Sequence, residues 1–344
     1  MPRFEASMYT PNITQYTYPG VLSSELFQKP KINTPALSEF ATIRTGVRSG
    51  EWINLVQPLT QVLTKASATC TPTYTQSGSI TARKIITSPL EINLSWCKKE
   101  FIATPTVLSD SDLIGDGLSG YELGGRLRSV ILDEVTEALR VDLWKVFLFG
   151  NDTGLSTSFY SAFDGVWATF FNEFNNYCVK PVSNAFPKTA TSVLAAGAAV
   201  TAFRLAWGES SLLLKQMPDN QKKFFVTGSV WENYYDSVIT NCCVEGSWKA
   251  SQDGIGTLYY RGIEVVALWV ADYALTDPAN PFYNQLRHFI IYTTPSNHIM
   301  ATENAADLNN LELCYDCRTK TTYIQGDMRL GYNFIHCDLQ SVAF

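Results

Sequence analysis

Histidine is nearly missing from this chain: three imidazoles serve 344 residues, so little proton-transfer or metal-binding chemistry is available at neutral pH. His288, His298 and His336 fall in separate segments, and none stands in a nucleophile–base arrangement. The patterns GxSxG, HExxH and the P-loop lysine motif are absent as well. Charge is also scarce, at 17% Asp, Glu, Lys and Arg, which leaves much of the surface free for partners to cover. No apolar run reaches the length of a membrane span, since Val193 to Phe203 is short and Arg204 interrupts it. The opening MPRFEASMYT lacks the apolar centre of a signal peptide, so a cytosolic origin is expected.

What is present is apolar and aromatic, 46% and 13% of the residues, enough for a sizeable core and two or more subdomains. Residues 1 to 105 hold ten Lys/Arg and six Asp/Glu, a net of +4, so the remainder carries −10 to reach the total of −6. Neither part is basic enough for a nucleic-acid footprint by itself, but opposite charges could attract within or between subunits. Cysteines 70, 97, 178, 242, 243, 314, 317 and 337 are few for a disulfide framework of this length. Most are expected to be reduced and partly buried, with a regulated or intersubunit disulfide as the alternative. Of the vicinal pair Cys242 and Cys243, one is expected to be buried and the other partly exposed.

Residues 1 to 36 combine Tyr9, Pro11, Tyr16, Tyr18, Pro19, Pro30 and Pro35 without periodicity and read as an extended arm. Ordering such an arm alone is costly, so it should lie on another surface. Residues 66 to 104 alternate through Ile80, Ala82 and Lys84, then through Leu90, Ile92, Leu94 and Trp96, with a turn signal at 76 to 78. The pattern predicts a long β-hairpin or three-stranded flap carrying Arg83, Lys84, Lys98 and Lys99.

A long amphipathic helix is predicted over Ser119 to Phe149. Ser119 and Glu122 form a capping box, Leu123, Leu127, Val130, Ile131, Val135 and Leu139 recur at helical spacing, and Gly150-Asn151 ends it. At about 45 Å, such a rod suits a structural spine better than a catalytic pocket. Further along, a helix is predicted near Thr191 to Leu214, a strand at Lys223 to Thr227 and a short helix at Val230 to Val238. Strands follow at Thr257 to Leu268, at His288 to Tyr292 and within Thr321 to Val342. The overall pattern is α+β without internal repeats.

Two motifs invite an enzymatic reading. Gly115, Gly117 and Gly120 match a dinucleotide loop, yet no buried strand precedes them, and Asp110, Asp112 and Asp116 would repel a pyrophosphate. Cys314 and Cys317, followed by His336 and Cys337, resemble half of a zinc site, but adjacent residues on a strand point to opposite faces and no second CxxC follows. No cofactor or metal is therefore expected. Glu134 and Asp142 project onto the apolar stripe of the long helix, where they are either satisfied or edge-exposed carboxylates, or partners for cations. On the second reading, Arg83, Lys84, Lys98 and Lys99 would meet Glu134, Glu137 and Asp142 of an adjacent subunit.

The order of arm, β-flap, spine helix ending in FLFGNDTG, α/β region and terminal strands resembles the major capsid proteins of tailed phages with the Hong Kong 97-type fold. So do the segments KVFLFGNDTG, YYRGIEVVAL, FIIYTTPSNHIMATEN and TTYIQGDMRLGYNFIHCDLQSVAF. The resemblance implies an N-terminal arm at 1–36, an E-loop region at 37–105, a P-domain with spine helix at 106–165, an A-domain at 166–299, and a return to P-domain strands at 300–344. It implies a non-catalytic virion protein, assembled in host cytoplasm into hexamers and pentamers around non-specifically held double-stranded DNA, with scaffolding, portal and decoration proteins as possible partners and no membrane. A scaffolding segment ahead of the arm is not seen, so scaffolding would be a separate protein or absent, and no self-crosslinking Lys/Asn pair can be located. The alternatives are an encapsulin-like compartment shell and, in another class, a cytosolic zinc- or nucleotide-dependent enzyme.

Overall fold

The computed structural model describes residues 34–56, 80–97, 125–152, 159–175, 178–179, 181–182, 185–186, 193–240, 248–249, 257–304, 311–316, 318 and 321–344. In chain order the first described elements are α1 (Leu37–Phe40), β1 (Thr42–Arg44), β2 (Glu51–Val56), β3 (Ile80–Ile85), β4 (Ser88–Cys97) and the long helix α2 (Gly125–Phe149). Then come α3 (Val166–Asn175), β5 (Pro181–Val182), α4 (Ala198–Glu209), α5 (Leu212–Gln216), β6 (Lys223–Thr227), α6 (Gly228–Thr240) and β7 (Trp248–Lys249). The chain closes with β8 (Thr257–Tyr260), β9 (Ile263–Leu268), α7 (Trp269–Leu275), β10 (Ile290–Thr293), β11 (His298–Thr302), β12 (Glu312–Asp316), β13 (Thr321–Phe334) and β14 (Gln340–Ala343).

Two compact units share these elements. The first comprises Met1–Ile32, Leu90–Val141 and Ala306–Met328, and the second Asn33–Pro89, Asp142–Ala305 and Arg329–Phe344. In the first, β12 pairs antiparallel with β13, Glu312 opposite Gln325 and Asp316 opposite Thr321.

The second unit is built on a seven-stranded mixed sheet in the order β5-β14-β10-β6-β9-β8-β7. Strand alternation sends Phe224, Val226, Ile290 and Tyr292 to one face, where Ala199, Ala202, Phe203 and Ala206 of α4 and Val230 and Tyr234 of α6 cover them. Phe225 points to the other face and meets Phe40 at 4.5 Å between ring centroids, while Phe40 in turn packs on Trp144 and Phe147 at the end of α2. Both faces are thus buried, which explains why β6 reads as the continuous apolar run FFV rather than as an alternating strand. The small alanine face of α4 lets the helix sit close to the aromatic residues of β6 and β10.

Several expected elements take other boundaries. The segment predicted as one helix from Thr191 to Leu214 is two: Gly197, at φ 75°, precedes α4, and extended Ser210 and Ser211 separate it from α5, whose N-cap Ser211 accepts from the Leu214 N–H. Asn233 of α6 supplies the missing cap for α4 by accepting the Ala199 N–H at 3.0 Å. The run from Thr257 to Leu268 is the hairpin β8–β9, turned by Arg261 and Gly262 at φ 52° and 82°, both positive as a type I′ turn requires.

The flap differs most. β3 pairs with β2, Glu51 opposite Ile85 through Val56 opposite Ile80, while β4 pairs with β13. The alternation through Ile80 and through Leu90 therefore marks two strands in different sheets rather than one hairpin. Gly331 shows why the chain can turn there: a Cβ on it would lie 2.0 Å from the Ile86 carbonyl oxygen, so only glycine admits the β3–β4 turn against β13. The long helix is present from Gly125 onward, whereas its expected start and capping box at Ser119 and Glu122 lie outside the described residues.

Candidate assembly surface

The ribbon of β2 and β3 has two unlike faces, fixed by its register. Trp52 opposite Lys84, Asn54 opposite Ala82 and Val56 opposite Ile80 share one face, and Ile53 opposite Arg83 and Leu55 opposite Thr81 share the other. On the first, Trp52 is 62% exposed, and Val56 and Ile80 are each 73% exposed. A two-stranded ribbon is marginal in water, and three large exposed apolar side chains on one side make it a candidate interaction surface. At the root Ile85 is fully buried against Val47, Ile299 and Ala301, with Ile53 packed alongside. The Asn333 side-chain N–H donates to the Lys84 carbonyl at 2.9 Å, and the Arg329 guanidinium donates to the Arg48 carbonyl at 2.9 Å. Among the described residues the ribbon is thus held at its base, while Trp52, Val56 and Ile80 above it are exposed.

The cations named from the sequence fall into different settings. Lys84 places Nζ 5.9 Å above the Trp52 ring on the exposed face. Arg83, on the opposite face, turns inward: Nη1 donates to Glu173 Oε1 at 3.1 Å, and the guanidinium lies 4.4 Å above the Phe334 ring. Its Nη2 also reaches Cys178 Sγ at 2.8 Å and Cys337 Sγ at 3.0 Å. Lys98 and Lys99 lie outside the described residues. Among the acids, Glu137 pairs with Arg140 at 3.0 Å and Asp142 with Lys145 at 2.8 Å. Glu134 is half-buried on α2. Trp52 and Val56 were missed in the sequence, although WINLV at 52–56 alternates and could have flagged them.

The thiols require a correction. Cys178 and Cys337 form an intrachain disulfide with Cα atoms 5.2 Å apart, rather than two reduced thiols. The pairing was invisible because 159 positions separate the partners and spacing alone does not specify connectivity. It also removes Cys337 from the zinc reading, and Cys314 is an exposed free thiol. Among the described residues no group of three His, Cys, Asp or Glu could hold a metal ion. Cys317, Cys242, Cys243 and the glycines of GDGLSG lie outside those residues.

The histidines serve the fold. His298 opens β11 and is wholly buried between two hydroxyls, with Tyr332 Oη 2.6 Å from Nδ1 and Thr293 Oγ1 2.8 Å from Nε2. Thr293 spends its own proton on the Leu339 carbonyl at 3.0 Å, so it accepts from Nε2–H and leaves Nδ1 to accept from Tyr332. Burial pushes the imidazole down to about 3, so the ring is neutral, and burial also pushes the Tyr332 phenol up, partly opposed by the Arg83 charge. His288 Nδ1 lies 2.7 Å from Ser229 Oγ, which invites a catalytic reading. The nearby carboxylate of Asp272, however, accepts the Gly228 and Ser229 backbone N–H groups at the start of α6. It caps a helix rather than orienting an imidazole, and burial pushes it up against those lowering hydrogen bonds. No described helix is long and apolar enough to cross a membrane.

No family model matches the chain, and no curated protein matches it. Solved structures do. A structure from Mycobacterium phage Ogopogo is similar with a TM-score of 0.58 and 11% identity over 95% of this chain and 96% of that one. The capsid of Myoviridae phage XM1 is similar with a TM-score of 0.55 and 10% identity, covering 94% and 96% of the two chains. The capsid structure of cyanophage P-SCSP1u gives 0.53 and 12% identity over 96% and 93%. Along nearly its whole length the chain has the α+β, Hong Kong 97-type fold of these structures.

Proposed function

We propose that this chain is the major capsid protein of a tailed phage, a structural, non-catalytic subunit that assembles into an icosahedral shell of hexamers and pentamers. The observation that carries the reading is the β2–β3 ribbon, whose face of Trp52, Val56 and Ile80 is bare and needs a second copy of the chain to cover it. The likeness in fold to capsid structures supports it. On this reading residues 1–36 are an arm laid on a neighbour, 37–105 the E-loop region, 106–165 and 300–344 the P-domain and 166–299 the A-domain. The shell forms in host cytoplasm and becomes the virion head. It encloses double-stranded DNA held without sequence preference and works with scaffolding, portal and decoration proteins, and it needs no metal or nucleotide.

The flap cations complete the surface. Lys84, Lys98 and Lys99 dock against Glu134, Glu137 and Asp142 of an adjacent subunit; Arg83 belongs to the same set, but its charge is met within the chain by Glu173. The warrant is the +4 of residues 1 to 105 against −10 beyond them, ten basic and six acidic residues in the first stretch of a chain totalling −6. Electron microscopy of the purified protein tests the proposal. Closed shells are expected, and only soluble monomers under every assembly condition would overturn it. Shells that hold enzyme cargo instead of DNA would indicate a protein compartment. Deleting residues 1–36 should leave the subunit folded and lower the melting temperature of the shell.

A further inference from the structure

We propose that Cys178, Cys337 and Arg83 form a thiol–disulfide exchange site, at which a small-molecule disulfide converts two thiols into the intrachain bond and Arg83 is the positioning residue. The site does not depend on the capsid reading. Cys178 follows α3 and Cys337 opens the turn after β13, and the Cα separation of 5.2 Å is one a disulfide spans without backbone movement. Both sulfurs lie within 3.0 Å of one guanidinium nitrogen, Nη2, while Glu173 takes the other, Nη1, so one N–H-bearing end of a fixed cation is aimed at the sulfur pair. A guanidinium is matched to an anion, and the anion available at these atoms is the thiolate of the reduced pair. Phe334 beneath the guanidinium and Glu173 at 3.1 Å on its other nitrogen fix it in place. Both cysteines are half-buried, open enough for a small disulfide to reach.

The reaction balances with oxidised glutathione as the oxidant. The thiolate held by Arg83 attacks one glutathione sulfur, forming a mixed disulfide and releasing one glutathione thiolate. The second cysteine, losing its proton to solvent or to that leaving thiolate, attacks the protein sulfur of the mixed disulfide and releases the second glutathione. Two electrons pass from the cysteine pair to glutathione. The charged groups at the site are Arg83 from β3, whose Nη2 reaches both sulfurs, and Glu173 from α3, which holds the same guanidinium and whose charge opposes it. The chain neighbours His336 and Asp338 are solvent-exposed, and the Tyr332 hydroxyl is buried.

Opposition between Arg83 and Glu173 makes the test sharp, because a merely structural role would not give effects of opposite sign. The full chain is reduced with dithiothreitol, desalted and exposed to oxidised glutathione between about pH 6 and 9, and the linked Cys178–Cys337 peptide is followed by alkylation and mass spectrometry. A half-maximal pH below the usual thiol value of about 8.5 is expected for the unaltered chain. R83Q should raise it and slow bond formation at pH 7 by about tenfold, R83K should keep most of the rate, and E173Q should lower the midpoint and speed the reaction a few-fold. C178S should accumulate glutathione on Cys337. If R83Q does not fold, R83K and E173Q decide the matter alone. An unchanged pH midpoint in E173Q, or no linked peptide in the unaltered chain, overturns the proposal.

Discussion

The seven-stranded sheet and the β2–β3 ribbon are both made of short, apolar, β-branched and aromatic strands, yet they stand in opposite relation to the rest of the chain. Phe224, Phe225 and Val226 are fully buried, with helices on one face and α1 and the end of α2 on the other. Trp52, Val56 and Ile80 are 62%, 73% and 73% exposed, and among the described residues only the Lys84 ammonium is placed over one of them, the Trp52 ring. One region completes its core inside a single chain and the other holds half of a surface, so stability of the subunit and stability of an assembly are written into different residues.

The largest effects should break this contrast if it is false. Phe225→Ala should destabilise the subunit by about 3–5 kcal/mol, the cost of emptying a packed aromatic site, read as a shift of the urea midpoint. Trp52→Ala should move that midpoint by no more than about 1 kcal/mol and yet prevent or slow assembly. A Trp52→Ala subunit as unstable as Phe225→Ala would mean that the ribbon face is covered within the chain. Between these extremes lies the disulfide. It closes a loop of 159 residues, and Cys337→Ser should cost about 2–4 kcal/mol of subunit stability under oxidising conditions and almost nothing under reducing ones.

Acid tests the buried region separately. His298 is held near 3 when folded and titrates near 6.5 when unfolded, so between those values the unfolded chain binds the extra proton. Stability from this group is complete above about pH 6.5, falls as pH drops below it and levels off near pH 3. At pH 5 the loss is about 2 kcal/mol. His298→Gln should be less stable at pH 7 but show a flatter decline from pH 6.5 to 5. Equal slopes in the two proteins would show that the imidazole is not what acid attacks.

How much of this could be read from the sequence follows the same division. β6 at Lys223–Thr227 and the alternation through Met328, Leu330, Tyr332 and Phe334 were legible because their partners impose a simple burial pattern. The break between α4 and α5 was not, since two adjacent serines suit a helix interior poorly but end one only when Ser211 finds the Leu214 N–H. The partners of Arg83 were hidden for a different reason: Glu173 lies 90 positions away and Cys337 lies 254 positions away, and no local spacing encodes such a meeting. Lys84, next in the chain, faces outward, so one alternation step separates a residue used inside from one available outside.

That step sets the smallest effect on the subunit. Lys84 is exposed and sits over an exposed Trp52, an arrangement that contributes about 0.5–1 kcal/mol at most. Lys84→Glu should therefore leave the unfolding midpoint nearly unchanged. In an assembly the same reversal sets like charges against one another wherever the ribbon meets acidic groups of a neighbour, and each contact, though worth no more than about 1 kcal/mol, recurs in every subunit. Assembly of Lys84→Glu should be slow at low salt and partly restored as salt rises, because screening shortens the reach of the repulsion to roughly 10 Å at 0.1 M. Trp52→Ala should show no such rescue, since its loss is apolar. Normal low-salt assembly of Lys84→Glu would remove the electrostatic half of the docking surface and leave the apolar face of Trp52, Val56 and Ile80 to carry it alone.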